Sequence, residues 1–334
     1  MKPKHLLLKA FCKTMLELSE KSSLEEIQKL SFWKQGEKVA QISIAGPGNM
    51  NLVLRVKTDQ RSVILKQSKP FVKKFPQIPA PIDRIQVEYQ FYQILNQSQT
   101  MREFVPLILG FDPENHLLLT EDLGVGKDFT EIYSGKKKLR LEEVGQLVRF
   151  LNTLHELSVT DFPDNLPMRR LNHEHIFNFP FREENGFDLD TIQPGLQALS
   201  MKIKQDEVLK EKVAELGERY LSSGKTLLHG DFYPGSWLQV DSAIKIIDPE
   251  FGFLGDREFD LGVFLAHMDL GLQGEEILSR IVDQYAHPLD HHLLNQCRGV
   301  EILRRLIGIA QLPLQLNLEQ KEELLKFAKH LILN

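Results

Sequence analysis

The spacing of hydrophobic and polar positions changes from helical to strand-like near residue 39. Residues 5–30 have the spacing of two short amphipathic helices, and Ser23 is placed to cap the second, with acidic residues in its first turn. From residue 39 the hydrophobic positions alternate, over 39–44, 52–56 and 62–66. This alternation predicts a three-stranded antiparallel meander, with a glycine-containing hairpin between its first two strands.

A proline-rich stretch from Pro70 to Pro81 separates the meander from a predicted helix at about 82–97. Two further strands are predicted at about 105–111 and 116–121, followed by a polar connector beginning at Glu121. We therefore expect an N-terminal lobe over residues 1–123, built from an antiparallel sheet and one main helix.

The rest of the chain, residues 124–334, has mostly helical spacing. A long helix at about 140–157 carries one apolar face that includes Leu141. A short β-rich segment over 226–248 interrupts further helices, which are predicted at about 190–221, 258–269, 273–286, 292–310 and 318–331. The fold class is α+β, with a small sheet lobe followed by a larger helical lobe.

Composition narrows the function. The 334 residues include 41 Lys and Arg against 46 Asp and Glu, for a net charge of −5, without the basic face that a nucleic-acid binder needs. We find no apolar segment of membrane-spanning length and no signal peptide. Cys12 and Cys297 match no zinc or redox spacing and suit a reducing compartment, so we expect a cytoplasmic protein with a small-molecule partner. A homodimer stays open.

Two acidic motifs follow short apolar segments in the second lobe. His229-Gly-Asp231 is a weak signal alone, because an acid in a turn often only closes the turn. Asp248-Pro-Glu250 follows a second strand, and carboxylates gathered at such a place repel one another unless a divalent cation is bound. One carboxylate to position a hydroxyl, with others to hold Mg²⁺, is the arrangement of phosphoryl transfer.

The first lobe supplies parts that suit a nucleotide. The hairpin residues Gly46, Gly48, Asn49 and Asn51 allow backbone amides to approach phosphates. Lys66 ends a strand, and Glu88 faces inward on the following helix, so the two can form the ion pair that orients a phosphate tail. Each residue alone is more often an ordinary solvated charge.

This order of parts resembles the aminoglycoside phosphotransferase and choline kinase superfamily, whose members share the protein-kinase-like two-lobe fold. Within it, the sequence is most similar to methylthioribose kinases. The segments that carry this similarity span nearly the whole chain: Gly48-Asn-Met-Asn51, Leu65–Val72, His229–Ser236, Asp248-Pro-Glu-Phe251 and Arg304-Arg-Leu-Ile-Gly308. Methylthioribose kinases resemble this chain in having serine at the position of Ser236, where related kinases usually have a metal-binding asparagine.

The resemblance implies an ATP- and Mg²⁺-dependent kinase that phosphorylates the 1-hydroxyl of 5-methylthioribose. Asp231 would orient that hydroxyl and accept its proton, and Arg304 and Arg305 would act beside it at the sugar site. The other implied roles are metal binding by Asp248, Glu250 and Ser236, phosphate binding by Lys66 braced by Glu88, and adenine contacts with the backbone of Glu121 and Leu123.

Other residues receive structural roles or none. Asp260 resembles the superfamily's aspartate that braces the catalytic loop, and a helix cap is the simpler interpretation. His173, His175, His287, His291 and His292 lack the spacing of a zinc site. Two alternatives stay open: a kinase for another sugar, an amino alcohol or an aminoglycoside, and a non-catalytic nucleotide-binding relative.

Overall fold

The computed structural model describes residues 16–46, 48 and 50–334. The first helix of this part, α1, spans Leu24–Gln28 and begins at Ser23, whose hydroxyl accepts the N–H of Glu26 while the Glu26 carboxylate accepts the N–H of Ser23. This confirms the predicted cap. Residues 16–23 are not helical, and the rest of the first predicted helix lies outside the described residues.

The N-terminal lobe contains a five-stranded antiparallel sheet in which the third strand is central. The strands that precede the lobe's main helix are β1 Val39–Ile44, β2 Leu52–Thr58, β3 Ser62–Gln67, β4 Phe71–Val72 and β5 Phe75–Pro79, and those that follow it are β6 Ile108–Asp112 and β7 Leu117–Glu121. The order of the strands in the five-stranded sheet is β1-β2-β3-β7-β6. The predicted meander and the two later strands are confirmed.

The proline-rich stretch was expected to be a connection, and it contains a separate hairpin instead. β4 and β5 pair only with each other, so they form a two-stranded ribbon beside the sheet. Prolines are tolerated there because an edge strand leaves half of its N–H groups without a ladder partner. Because proline has a low propensity for strands, strand propensity did not predict this ribbon.

Strand β7 is buried on both faces of the sheet, whereas the edge strand β1 is mostly exposed. Leu117 and Leu119 point to one face and pack with α1 and the meander, whereas Leu118 points to the other. That second face is covered by α2, Arg84–Gln97, whose Phe91 and Leu95 are fully buried. Because α2 belongs to the same hydrophobic cluster as the helices of the second lobe, it joins the two parts of the molecule.

The second lobe is mainly helical, as expected. A short helix of the first lobe, α3 Gln99–Arg102, follows α2. The α-helices of the second lobe are α4 Leu141–Glu156, α5 Leu166–His173, α6 Leu196–Lys204, α7 Glu207–Leu221, α8 Glu258–Leu270, α9 Glu275–Gln284, α10 His291–Ile307 and α11 Leu318–Leu333. The single helix predicted over 190–221 was wrong: it is two helices, because Asp206 caps a new helix start through the N–H of Leu209. Leu141 is also exposed rather than in the core, since it lies at the first turn of α4.

Short strands of the second lobe position the two acidic motifs. β8 Lys127–Asp128, β10 Trp237–Val240 and β11 Ala243–Ile246 form one small sheet, and β9 Thr226–Leu228 pairs with β12 Phe253–Gly255. β8 and β12 were not predicted. Since β8 pairs with β10, the chain has joined this lobe by residue 127, and the boundary at 123 and 124 stays a prediction.

No helix among the described residues is both long and apolar enough to cross a membrane. Cys297 is buried on α10 with a free thiol, and Cys12 lies outside the described residues.

Candidate active site

The His229-Gly-Asp231 loop leaves β9 in a conformation that only glycine fits at its centre. Gly230 has φ +80°, and a Cβ there would lie 2.2 Å from the carbonyl oxygen of Phe251. The carboxylate of Asp260, in the first turn of α8, accepts the N–H groups of His229 at 2.7 Å and Gly230 at 2.9 Å. Asp260 therefore braces the loop, as the resemblance implied, and it is not the cap of α8, which is Arg257.

Three more hydrogen bonds hold this loop in place. The His229 ring lies 3.0 Å from the carbonyl of Ile247 through Nε2, while its Nδ1 accepts the N–H of Asp231 at 3.3 Å. Nε2 must therefore carry the proton and donate it to Ile247. The Ser236 hydroxyl donates to the carbonyl of Asp231 at 3.0 Å. These bonds fix the backbone of Asp231 and leave its carboxylate available.

Asp231 faces the two predicted arginines. Its Oδ1 lies 3.5 Å from Nη2 of Arg305 and 3.9 Å from Nη1 of Arg304. Burial raises the pKa of Asp231, and both guanidiniums oppose that rise. The structure thus brings together the three residues expected at the acceptor site.

Glu301 holds the pair of Arg304 and Arg305 by hydrogen bonds, and no role for it was predicted from the sequence. Its Oε1 accepts Nε of Arg305 at 2.6 Å, and its Oε2 accepts Nη1 of Arg304 at 3.0 Å. Burial alone would raise the pKa of Glu301, but the two guanidiniums outweigh it and hold the pKa well below its usual value. Since Glu301 precedes the arginines by three and four residues on α10, helical spacing was a signal for it.

Lys66 lies on the central strand β3, where it meets two acids. Its Nζ is 2.6 Å from Oε1 of Glu88 on α2, and it also contacts the carboxylate of Asp248. Burial would lower the pKa of Lys66, but Asp248 and Glu88 outweigh it and raise the pKa well above its usual value. The expected Lys66–Glu88 pair is present, and its lysine stays cationic.

The two acids of the Asp248-Pro-Glu250 motif have different surroundings. Asp248 adopts a left-handed conformation with φ +63°, and 44% of its side chain is exposed. Glu250 is buried, and its Oε2 lies 3.0 Å from Nε of Arg84 and 2.9 Å from Nδ2 of Asn51. Burial raises the pKa of Glu250 to about 7, against the opposing charge of Arg84.

Arg84 was not predicted, although it connects several parts of the site. It begins α2, and its fully buried guanidinium donates to Oδ1 of Asn51 and to the carbonyls of Met50, Lys69 and Pro81 at 2.7 to 3.0 Å. Both ends of the Asn51 amide are therefore engaged within the protein. No local pattern could have indicated Arg84, because its acidic partner lies far along the chain.

The glycine hairpin is described in part. Gly48 has φ +46°, and a Cβ there would lie 2.6 Å from the carbonyl of Asn51, so this turn requires glycine. Gly46 has open space around it. Asn49 lies outside the described residues.

The connector between the lobes is held by an arginine from the sheet. Arg55 on β2 donates to both carboxylate oxygens of Asp122, at 2.8 and 3.0 Å. Glu121 ends β7 opposite Val63, and Leu123 is half-buried one residue beyond Asp122. The ion pair fixes the connector on which the adenine contacts are predicted.

Few side chains in the candidate site offer oxygen ligands to a cation. Among residues 16–46, 48 and 50–334, no three His, Cys, Asp or Glu side chains are arranged to hold a metal ion. The half-exposed carboxylate of Asp248 suits a hard cation such as Mg²⁺, which takes one or two carboxylates beside substrate phosphates. Ser236 is buried, with its hydroxyl directed to Asp231.

A sheet lysine paired with a helix glutamate, above a loop aspartate and a second acidic motif, defines the protein-kinase-like two-lobe fold. Comparison with known proteins gives the family. The model of the phosphotransferase enzyme family matches residues 41–293, so the chain belongs to this family.

Individual relatives agree with this assignment. A methylthioribose kinase of Bacillus cereus strain B4264 is 29% identical over 253 residues, which cover 71% of this chain and 62% of that protein. The match thus covers less than two thirds of that relative's length. The structure of LicA in complex with AMP has a TM-score of 0.56 at 16% identity, covering 92% of this chain and 97% of that one. A choline/ethanolamine kinase family protein from Mesorhizobium loti has a TM-score of 0.53 at 14% identity, covering 88% and 89%.

Proposed function

We propose that the protein is an ATP-dependent kinase that transfers the γ-phosphoryl group to the 1-hydroxyl of 5-methylthioribose. The observation that carries the proposal is the carboxylate of Asp231, which lies within 4 Å of two guanidiniums in a family of phosphotransferases. The similarity to methylthioribose kinases supports this acceptor.

The nucleotide would lie between the glycine hairpin and the second lobe. Lys66, held cationic by its two acidic neighbours, would bind the phosphate tail, with Glu88 fixing its direction. Glu121 and Leu123 would contact the adenine through their backbone. Mg²⁺, when bound, would neutralise charge on the phosphates, with the half-exposed Asp248 as its first carboxylate ligand. Glu250, whose Oε2 is held by Arg84 and Asn51, would offer its other oxygen, and Ser236 would turn its hydroxyl from the Asp231 carbonyl.

Asp231 would orient the acceptor hydroxyl and accept its proton. Burial moves the pKa of this carboxyl toward the operating range of a general base. Arg304 and Arg305 would stabilise charge on the transferred phosphoryl group, as cationic side chains do in such sites.

The charges around Asp231 support a neutral acceptor. Asp231 and Glu301 are balanced by Arg304 and Arg305, so the site carries no excess of acid to attract a cation. A choline-like or aminoglycoside acceptor would place its positive charge against two guanidiniums, which is unfavourable at these distances. An uncharged polyhydroxyl compound can instead accept hydrogen bonds from both arginines.

The test is phosphoryl transfer from Mg-ATP to a panel of methylthioribose, other pentoses, choline and aminoglycosides. We expect transfer to methylthioribose, and we expect Asp231→Asn to lower kcat by about 10²- to 10⁴-fold with little change in ATP binding. Asp241→Asn is the matched control, because Asp241 lies on the exposed turn between β10 and β11.

Each alternative predicts a different result from this panel. Transfer only to another acceptor would refute the choice of methylthioribose and retain a kinase. Binding of Mg-ATP without transfer to any acceptor would support a non-catalytic relative. Within the proposal the protein works in the cytoplasm on a small molecule, and sedimentation of the purified protein would decide between a monomer and a homodimer.

A further inference from the structure

His267 on α8 lies between two groups that leave only one arrangement for its protons. Its Nδ1 is 2.5 Å from the hydroxyl of Tyr133, and its Nε2 is 3.2 Å from Oε1 of Glu301. All three side chains are almost completely buried. Burial lowers the pKa of His267 to about 4, so the imidazole is neutral near pH 7.

The hydrogen bonds that join Tyr133, His267 and Glu301 all run in one direction. An ionised carboxylate only accepts, so the proton of the neutral imidazole must be on Nε2 and point to Glu301. Nδ1 then accepts the proton of the Tyr133 hydroxyl, which stays protonated because burial raises the pKa of Tyr133. The result is an ordered path from Tyr133 through His267 to Glu301.

Glu301 is the point at which this path reaches the site. The oxygen that accepts from His267 also accepts Nε of Arg305, and the other oxygen accepts Nη1 of Arg304. The orientation of one carboxylate therefore fixes both guanidiniums. His267 also packs its ring 5.3 Å from that of Tyr233, over which the Arg305 guanidinium lies at 5.1 Å.

We propose that His267 is a positioning residue for the phosphoryl acceptor: it fixes the rotation of Glu301, and thereby aims Arg304 and Arg305 at Asp231. The inference rests on the function proposed above and adds a residue that does not itself touch substrate. It predicts that altering His267 lowers kcat/KM for the acceptor and leaves KM for ATP nearly unchanged.

A second series of hydrogen-bonded side chains of the same kind supports a positioning role for His267. His155 lies 2.6 Å from the hydroxyl of Tyr285 and 3.4 Å from the carboxylate of Asp260, which in turn braces the loop before Asp231. A buried Tyr–His–acid path thus holds each side of the acceptor site, one through the loop and one through the arginines. Such fixed supports keep reacting groups in place at no cost at the moment of reaction.

The experiment compares His267→Leu with His267→Gln in the full chain. Leucine removes both hydrogen bonds, whereas the glutamine amide can donate to Glu301 and accept from Tyr133. We expect leucine to lower kcat/KM for the acceptor by about 10- to 100-fold, with KM for ATP within about twofold, and glutamine to restore most of the loss.

Arg298→Met is the matched structural control. Arg298 on α10 forms a two-pronged ion pair with Asp269 on α8 at 2.6 Å, so its loss weakens the contact between the same two helices without touching Glu301. We expect Arg298→Met to lower stability and leave acceptor kinetics unchanged. Tyr133→Phe decides if His267→Leu does not fold, because it removes only the hydroxyl; acceptor kcat/KM should fall about threefold to tenfold.

Equal kinetics in the His267→Leu and Arg298→Met proteins would overturn the inference, as would an equal rise in KM for both substrates. A parent protein with no transfer activity would refute the proposed function, and ¹H–¹⁵N spectra of the arginine side chains then test the inference separately. The Arg305 Nε–H signal should be protected from exchange in the parent and in Arg298→Met, and lose that protection in His267→Leu. Unchanged protection in all three proteins would overturn it.

Discussion

Replacing Arg84 with methionine removes one of two groups that connect the glycine hairpin to Glu250, the other being the amide of Asn51. The fully buried guanidinium satisfies the carbonyls of Met50, Lys69 and Pro81, and it is the cation beside Glu250. A buried polar group that loses its partner costs about 1–3 kcal/mol, and a buried ion pair that loses one partner costs about 3–5 kcal/mol.

These costs do not add, because the hairpin can detach and admit water before every group is left unsatisfied. We therefore expect the free energy of unfolding of Arg84→Met to fall by about 3–5 kcal/mol, the range for a broken buried pair. We also expect KM for ATP to rise about tenfold, since the detached hairpin no longer holds its amides over the phosphates.

Urea denaturation and initial-rate kinetics measure both effects, with Arg61→Met as the matched control. Arg61 also lies in the N-terminal lobe and pairs with a buried acid, Glu37, at 2.8 Å, but 21% of its side chain is exposed and it does not contact the hairpin. Its loss should lower stability and leave KM for ATP unchanged. The reasoning is refuted if Arg84→Met binds ATP as the parent does, or if Arg61→Met weakens ATP binding equally.

Three further predictions concern other parts of the site. Lys66→Met should raise the Kd for ATP at least tenfold while leaving the Kd for the acceptor unchanged, as measured by calorimetry with each ligand. Gly230→Ala should lower the free energy of unfolding by more than about 2 kcal/mol and abolish transfer, because it adds a backbone clash to the strain of positive φ; Gly124→Ala, with φ +83° and open space, should show the strain alone. The folded-state pKa of His267 lies near 4, below its unfolded value near 6.5, so the unfolded chain binds the proton first. The contribution of the neutral His267 to the free energy of unfolding is therefore complete above pH 6.5 and is lost as the pH falls toward 4, by up to about 3 kcal/mol. Urea denaturation across this range should show a smaller fall in the free energy of unfolding for His267→Gln than for the parent. Equal pH dependence in the two proteins would contradict a buried, neutral His267.

Local patterns were sufficient where each element is stabilised by its own residues. Alternation over 39–66 predicted the meander, and the apolar face of α2 included the buried Glu88. Patterns failed at two places in the fold. The prolines lowered the strand propensity of the β4–β5 ribbon, and the break before α7 is marked only by the single capping residue Asp206 within an otherwise helical stretch.

The same distinction applies to the candidate site. Lys66, Asp231 and Asp248 stand at strand ends and turns, where the sequence pattern itself marks them, and the ion pair of Lys66 with Glu88 was expected. Arg84 and His267 carry no such mark, because their partners lie on elements far away in the chain. Without the fold, each looks like an ordinary helical residue.

The residues proposed to bind the phosphates and orient the hydroxyl and the residues proposed to position the arginine pair stand on different elements. The first, Lys66, Asp231 and Asp248, stand on short strands and loops. The second are held by α8 and α10, whose packed faces bring Glu301 beneath the arginine pair. Asp260 on α8 must stay, because it braces the loop before Asp231, whereas within the described part of the chain His267 and Glu301 make no hydrogen bond to that loop. We therefore expect acceptor preference to diverge through residues such as His267 and Glu301 while phosphoryl transfer is retained. Kinetics of the parent and of the His267 variants on the panel of acceptors separates the effects of these two sets of residues.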